Sequence, residues 1–111
     1  MAVIDIGTNS TRLMVADVDG NSVTELARHS EVTRLGRGVD YTQLLSDEAI
    51  EVVCQTVAGY VETIQDLETE STLVIATSAV RDASNGSAFV AELRERFELD
   101  CRVLDGDEEA R

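Results

Sequence analysis

The sequence predicts an α/β fold built on a mixed sheet, and three observations lead to it. Short apolar runs recur at residues 2–6, 11–18, 72–77 and 101–104, each of strand length. Two longer segments, beginning near Ser46 and Ser87, place apolar residues three and four apart, which is the helical period. The early strand candidates follow one another through tight turns, while the later ones are separated by the helical segments. The implied order is β-β-β-α-β-α-β. A meander followed by helical crossovers makes the first strands antiparallel and lets the later strands join in parallel.

Each element has its own local cause. Residues 2–6 (AVIDI) are nearly all apolar, which suggests burial on both faces, with Asp5 as the exception. Residues 11–18 (TRLMVADV) form the second strand. Asp19-Gly20-Asn21 is a turn signal, and residues 22–31 (SVTELARHSE) make a third strand with a polar face. Residues 35–39 (LGRGV) read as a loop. Ser46 is a good N-cap, followed by Asp47 and Glu48 where the helix dipole favours anions. Ile50, Val53, Val57, Val61, Ile64 and Leu67 then line one face of a helix of about six turns. Residues 72–77 (TLVIAT) are a strand, and residues 87–97 a helix with Phe89, Val90, Leu93 and Phe97 inward. Residues 101–104 (CRVL) are a short strand, and Asp107–Arg111 reads as the start of another helix. The chain stops where that helix begins, so the expectation is the first domain of a larger fold.

Composition narrows the function. The 111 residues allow one domain at most, and 43% hydrophobic residues suffice for a packed core. Aromatics are only 4%, so Val, Leu, Ile and Ala must fill that core. There is no run of about 20 apolar residues to span a bilayer, and no basic segment leads into a long apolar one as in a secretory signal. The expected location is the cytoplasm. The formal net charge is −13, from 22 acidic and 9 basic residues, and every basic residue is Arg. Such a field repels nucleic acid and anionic membranes, so neither is an expected partner. It also repels polyphosphates, so a phosphate ligand needs backbone N–H groups and a few placed Arg. The two cysteines, Cys54 and Cys101, lie in no metal pattern, and the single His is His29. Free buried Cys behaves as a small hydrophobe.

The chemistry-bearing stretch is Asp5-Ile6-Gly7-Thr8-Asn9-Ser10, between the first two strands. Gly7 has no Cβ and lets a ligand approach the backbone. Thr8, Asn9 and Ser10 offer short donors beside backbone N–H groups, a concavity able to cradle a phosphate. Asp5 at the strand end would hold a metal ion or its waters. The same residues also make ordinary hairpins, in which Asp and Asn satisfy local backbone groups.

Three further segments follow in order: LGRGVDYTQLLSDEAI (35–50), ATSAVRDASNGSAFV (76–90) and LDGDEEAR (104–111). With AVIDIGTNSTRLMVAD they resemble the N-terminal domain of the exopolyphosphatase / guanosine pentaphosphate phosphohydrolase family. The first motif alone would resemble only the wider acetate kinase, sugar kinase, chaperone ATPase and actin superfamily. The resemblance implies a ribonuclease H-like mixed sheet, as in the first domain of an actin-like ATPase. It implies that Gly7, Thr8, Asn9 and Ser10 bind phosphate, joined by Thr77, Ser78 and Arg81 at the end of a later strand, with Asp5 toward Mg²⁺. It implies that Glu109 orients or deprotonates the attacking water. Glu108 and Asp107 remain simple complements to a helix N-terminus, and Asp66–Glu70 the solvated end of a helix. Arg12, beside the loop, is a further anion-binding candidate, while Arg37 reads as solvated.

Asp105 departs from the family, which usually has Ser there. The family's second phosphate loop and companion domain are expected beyond residue 111. The implied activity is release of terminal phosphate from inorganic polyphosphate, or of the 5′-terminal phosphate from guanosine pentaphosphate, by an intact protein that is expected to be a homodimer. Two alternatives remain open at this point: an ATP-dependent sugar or acyl kinase of the same superfamily, and a non-catalytic alarmone-binding module.

Overall fold

The computed structural model describes residues 1–36, 42–69 and 71–104. The meander is formed by β1 (Ala2–Ile6), β2 (Ser10–Asp19) and β3 (Ser22–Val32). Helix α1 (Asp47–Asp66) leads to β4 (Thr72–Ala76), and two helices, α2 (Ser78–Asp82) and α3 (Gly86–Phe97), lead to β5 (Cys101–Val103). The five strands form one sheet in the order β3-β2-β1-β4-β5. The β1–β2 and β2–β3 pairs are antiparallel, and the β1–β4 and β4–β5 pairs are parallel. This is the mixed α/β sheet that the resemblance implied, with β1 at its centre.

The alternation of β1 sorts its side chains cleanly. Ala2, Ile4 and Ile6 are buried, together with Leu13 and Val15 of β2 and Val74 and Ala76 of β4. Val53, Cys54, Val57, Tyr60 and Ile64 of α1, with Phe89 and Leu93 of α3, complete that core. The opposite positions of β1, Val3 and Asp5, are half-buried, so β1 has one fully covered face rather than two. On α1 the expected stripe holds at Val53, Val57 and Ile64. Leu67, expected inside, is the exposed C-cap residue at 37% exposure. Tyr60 enters the core instead, and its hydroxyl donates to the Thr11 carbonyl at 2.9 Å.

Ser46 caps α1 as expected, its Oγ accepting from the Ala49 N–H at 3.1 Å. The third strand departs from expectation. It was read with one polar face, yet both faces are exposed along almost its whole length, with only Ala27 half-buried. β3 is an edge strand, and among the described residues its side-chain contacts with the core are confined to one face, where Ala27 packs against the core and His29 stacks on Tyr60 of α1. A bulge lies where β2 residues Val15 and Ala16 face Ala27 and Glu25, which leaves Leu26 as the extra residue. Val15 and Ala16, opposite the bulge, are buried in succession.

Helix α2 has no counterpart in the sequence reading. It turns the chain straight after β4 and packs against the start of α3. At Gly86 an added Cβ would run into the carbonyl of Val80, so the two helices meet backbone to backbone there. Asn85 precedes this contact. Its Oδ1 accepts from the Leu45 N–H at 2.8 Å and its Nδ2 donates to the Leu45 carbonyl at 3.0 Å, tying the entry of α1 to that of α3.

These contacts predict opposite outcomes at two helical glycines. Gly86→Ala meets an immovable backbone oxygen and should destabilise the protein by about 1–3 kcal/mol. Gly59→Ala, inside α1 with open space around it, should stabilise by about 0.5–1 kcal/mol. Denaturant unfolding of the two variants checks the signs, and equal effects would contradict the packing described.

Candidate functional site

The β1–β2 connection is a tight turn held from three sides. The Gly7 N–H donates to the Ser10 carbonyl at 2.9 Å, closing the turn on itself. The segment after β3 is bonded to it: Thr33 N–H and Arg34 N–H both donate to the Asn9 carbonyl at 3.0 Å, and Gly36 N–H donates to the Thr8 carbonyl at 2.9 Å. A Cβ at Gly36 would overlap Cγ2 of Thr8, so any larger residue here would force the Thr8 side chain to turn aside. On the other side, Thr77 N–H donates to the Ile6 carbonyl at 3.2 Å. The sheet thus brings residues 7–10 and the 77–81 segment together at the carboxyl ends of β1 and β4. Open α/β sheets bind ligands at such ends.

The candidate residues are placed as follows. Thr8 and Gly7 are half-buried, Asn9 is exposed, and Ser10 is half-buried as the first residue of β2. Thr77 is half-buried at the N-cap of α2, where its side chain makes no capping bond. Its carbonyl accepts from the Val80 and Arg81 N–H groups at 3.1 and 3.2 Å. Ser78 opens α2. Arg81 lies on the last turn of α2 with its side chain 31% exposed. Its Nε donates to Asp82 Oδ1 at 3.1 Å and its Nη1 reaches the Leu104 carbonyl at 3.4 Å. The pair with the 61% exposed Asp82 is therefore real, and such surface pairs contribute little to stability. Glu109, like Arg37, Asp105, Asp107 and Glu108, lies outside the described residues.

Asp5 sits on the side of β1 that faces away from the buried Ile4 and Ile6. It lines a recess of about 410 Å³ with Val3, Arg12, Met14, Arg28 and Ser30. Its Oδ1 is buried and has no hydrogen-bond partner among the described residues. Arg12 is its cross-strand neighbour, and the two make no ion pair. An orphaned carboxylate oxygen fits a cation. No three His, Cys, Asp or Glu among the described residues gather as a metal cage. A lone carboxylate with an unpartnered oxygen is the kind of group that a partly hydrated divalent cation can satisfy.

Both cysteines are remote from this chemistry. Burial pushes the Cys54 and Cys101 thiols up to about 11, so they stay protonated at neutral pH. No helix among the described residues is long and apolar enough to cross a membrane.

Arg34 was missed in the sequence. It stands beside the turn with a left-handed backbone, φ 52°, which costs a non-glycine residue roughly 1–2 kcal/mol. Nothing in Thr33-Arg34-Leu35-Gly36 announces that conformation. It arises because Thr33 and Leu35 are both buried while their neighbours' N–H groups are held by the turn.

The sequence profile of the Ppx/GppA phosphatase family matches residues 14–111. A bifunctional 3-dehydroquinate synthase/phosphatase of Fusobacterium nucleatum is 34% identical over 116 residues, covering 98% of this chain and 18% of that protein. Among solved structures, the Aquifex aeolicus Ppx/GppA family member superposes with a TM-score of 0.93 at 29% identity, covering 97% of this chain and 35% of that one. An exopolyphosphatase from Cytophaga hutchinsonii superposes with a TM-score of 0.94 at 26% identity, covering 98% and 35%. The chain thus spans about a third of the solved structures it matches and less of the curated relative.

An unpartnered buried oxygen costs stability, and proteins retain such groups mainly where function uses them. Asp5→Asn should therefore leave thermal stability in metal-free buffer unchanged or raise it by about 1 kcal/mol. A marked loss of stability would instead give Asp5 a structural partner and contradict the cation reading.

Proposed function

This chain belongs to the Ppx/GppA phosphatase family, and on that premise we propose that it contributes one wall of a phosphoanhydride hydrolase site. The substrate is inorganic polyphosphate or guanosine pentaphosphate, and the product released is orthophosphate. The observation that carries the reading is the meeting of the 7–10 turn with the 77–81 segment at one end of the sheet. The Thr77 N–H bond to the Ile6 carbonyl marks that meeting.

The chemistry follows from these residues. Gly7, Thr8, Asn9 and Ser10 hold phosphate oxygens with backbone and side-chain donors. Thr77, Ser78 and Arg81 approach from the β4 side, where the Arg81 guanidinium exchanges part of its contact with Asp82 for phosphate oxygens. Asp5 holds Mg²⁺, which when bound offsets the charge on the phosphates. Glu109 accepts a proton from water as its oxygen attacks the terminal phosphorus in line. The bridging P–O bond breaks, and its electron pair leaves with the remaining phosphate chain. Catalysis is then mostly positioning and electrostatics. This chain spans about a third of the solved structures it matches, so by itself it should turn over little or no substrate.

Phosphate release by the intact protein from polyphosphate, guanosine pentaphosphate and ATP tests the reading. Release from either of the first two in preference to ATP supports it, and preference for ATP with an acceptor sugar or acid would replace it with a kinase. Within that assay Glu109→Gln should lower turnover by roughly 10²–10⁴-fold with little change in affinity. Glu108→Gln should be mild. A crippled Glu108→Gln beside a near-normal Glu109→Gln would refute the assignment. Arg81→Ala should weaken binding as well as turnover.

A further inference from the structure

We propose that Arg34 forms a second phosphate subsite on the β3 side of the Gly7–Ser10 turn, one that holds a further phosphate of a polyphosphate chain. The proposal rests on the phosphate-binding reading of that turn. Three observations carry it.

The first is rigidity. Thr33 and Leu35 are 6% and 0% exposed, and the hydroxyls of Thr33 and Thr11 lie 2.9 Å apart. With the backbone bonds to Asn9 and Thr8, this fixes residues 33–36 as part of the same rigid unit as the turn. Arg34 alone in that run of four is exposed.

The second is the recess. Thr8, Asn9, Val32, Arg34 and Gly36 line a space of about 510 Å³ that opens directly on the turn. It lies on the opposite flank from Arg81, since Arg34 follows β3 and Arg81 follows β4 in the order β3-β2-β1-β4-β5. A phosphate chain seated on the turn would have a guanidinium on either side.

The third is charge and strain together. The Arg34 side chain makes no ion pair among the described residues, although acidic residues outnumber basic ones by 22 to 9. Its φ of 52° is one at which Gly would be free of strain. A role confined to the backbone would be better served by Gly. A solvated surface Arg explains the exposure but not a recess shared with the turn. A forked guanidinium for bidentate contact with phosphate oxygens explains an exposed, unpaired Arg held beside those donors.

The test is calorimetric binding of inorganic tripolyphosphate and of orthophosphate to the intact protein and to Arg34→Gly and Arg34→Lys. Arg34→Gly removes the guanidinium and relieves the backbone, so its thermal midpoint should hold or rise. Its tripolyphosphate affinity should fall by roughly 5–30-fold, with orthophosphate binding at the turn nearly unchanged. Arg34→Lys, which keeps the charge but not the fork, should recover part of the loss. Tripolyphosphate bound equally well by wild type and Arg34→Gly overturns the subsite and leaves the hydrolase reading standing. Equal loss for both ligands also overturns it, since Arg34 would then only shape the turn. A wild-type protein that binds neither ligand fails the hydrolase reading itself, and the subsite falls with it.

Discussion

The pairing of β1 with β2 on one side and β4 on the other is the constraint on which the rest of the structure depends. It makes Ala2–Ile6 the central strand and buries Ile4 and Ile6 completely. It also fixes where β1 ends. The chain must leave the sheet at Gly7 and re-enter at Ser10, and the carbonyls exposed by that exit are claimed at once. Ile6 takes Thr77, Thr8 takes Gly36, and Asn9 takes both Thr33 and Arg34. Backbone groups that would otherwise need water are satisfied by neighbouring segments. The turn is rigid before any ligand arrives, and such preorganisation lets hydrogen-bond donors stabilise charge without reorganising.

Electrostatics sets the second problem. On the proposed reading, a chain of net charge −13 receives a polyanion. Local geometry provides the answer: donors concentrated at one end of the sheet, with Arg34 and Arg81 on the two flanks of the turn. Most of the remaining arginines of the described residues are spent in surface pairs, such as Arg28 with Glu25 at 2.7 Å and Arg96 with Glu51 at 3.3 Å. Asp5 fits the same scheme from the other direction. A carboxylate oxygen buried without a donor raises the energy of the empty site and lowers it when a cation is bound.

Much of this was legible in the sequence, because local rules fix it. The strand at Ala2–Ile6, the Ser46 cap and the inward Phe89 and Leu93 all follow from short-range pattern and match the structure. The juxtaposition of the 7–10 turn with Thr77 was implied by the family resemblance rather than by local pattern. What escaped depends on contacts between distant segments. Helix α2 is five residues long, too short to show a helical period. Asn85 owes its role to Leu45, forty positions away. Leu67 continued the apolar spacing of α1 but falls where the helix ends. Arg34 has no local signature, because its backbone is imposed by Asn9. β3 carried a strand pattern that promised one covered face, and its edge position left most of that face open.

The central claim is that one rigid turn, flanked by the segments after β3 and β4, receives a phosphate chain. Hydrogen–deuterium exchange of the intact protein, with and without tripolyphosphate and Mg²⁺, addresses it most directly. The account predicts that peptides covering residues 5–10, 33–36 and 77–81 slow together on ligand addition, while the exposed edge at residues 22–28 is unaffected. Protection confined to other regions, with these three segments exchanging as before, would contradict it.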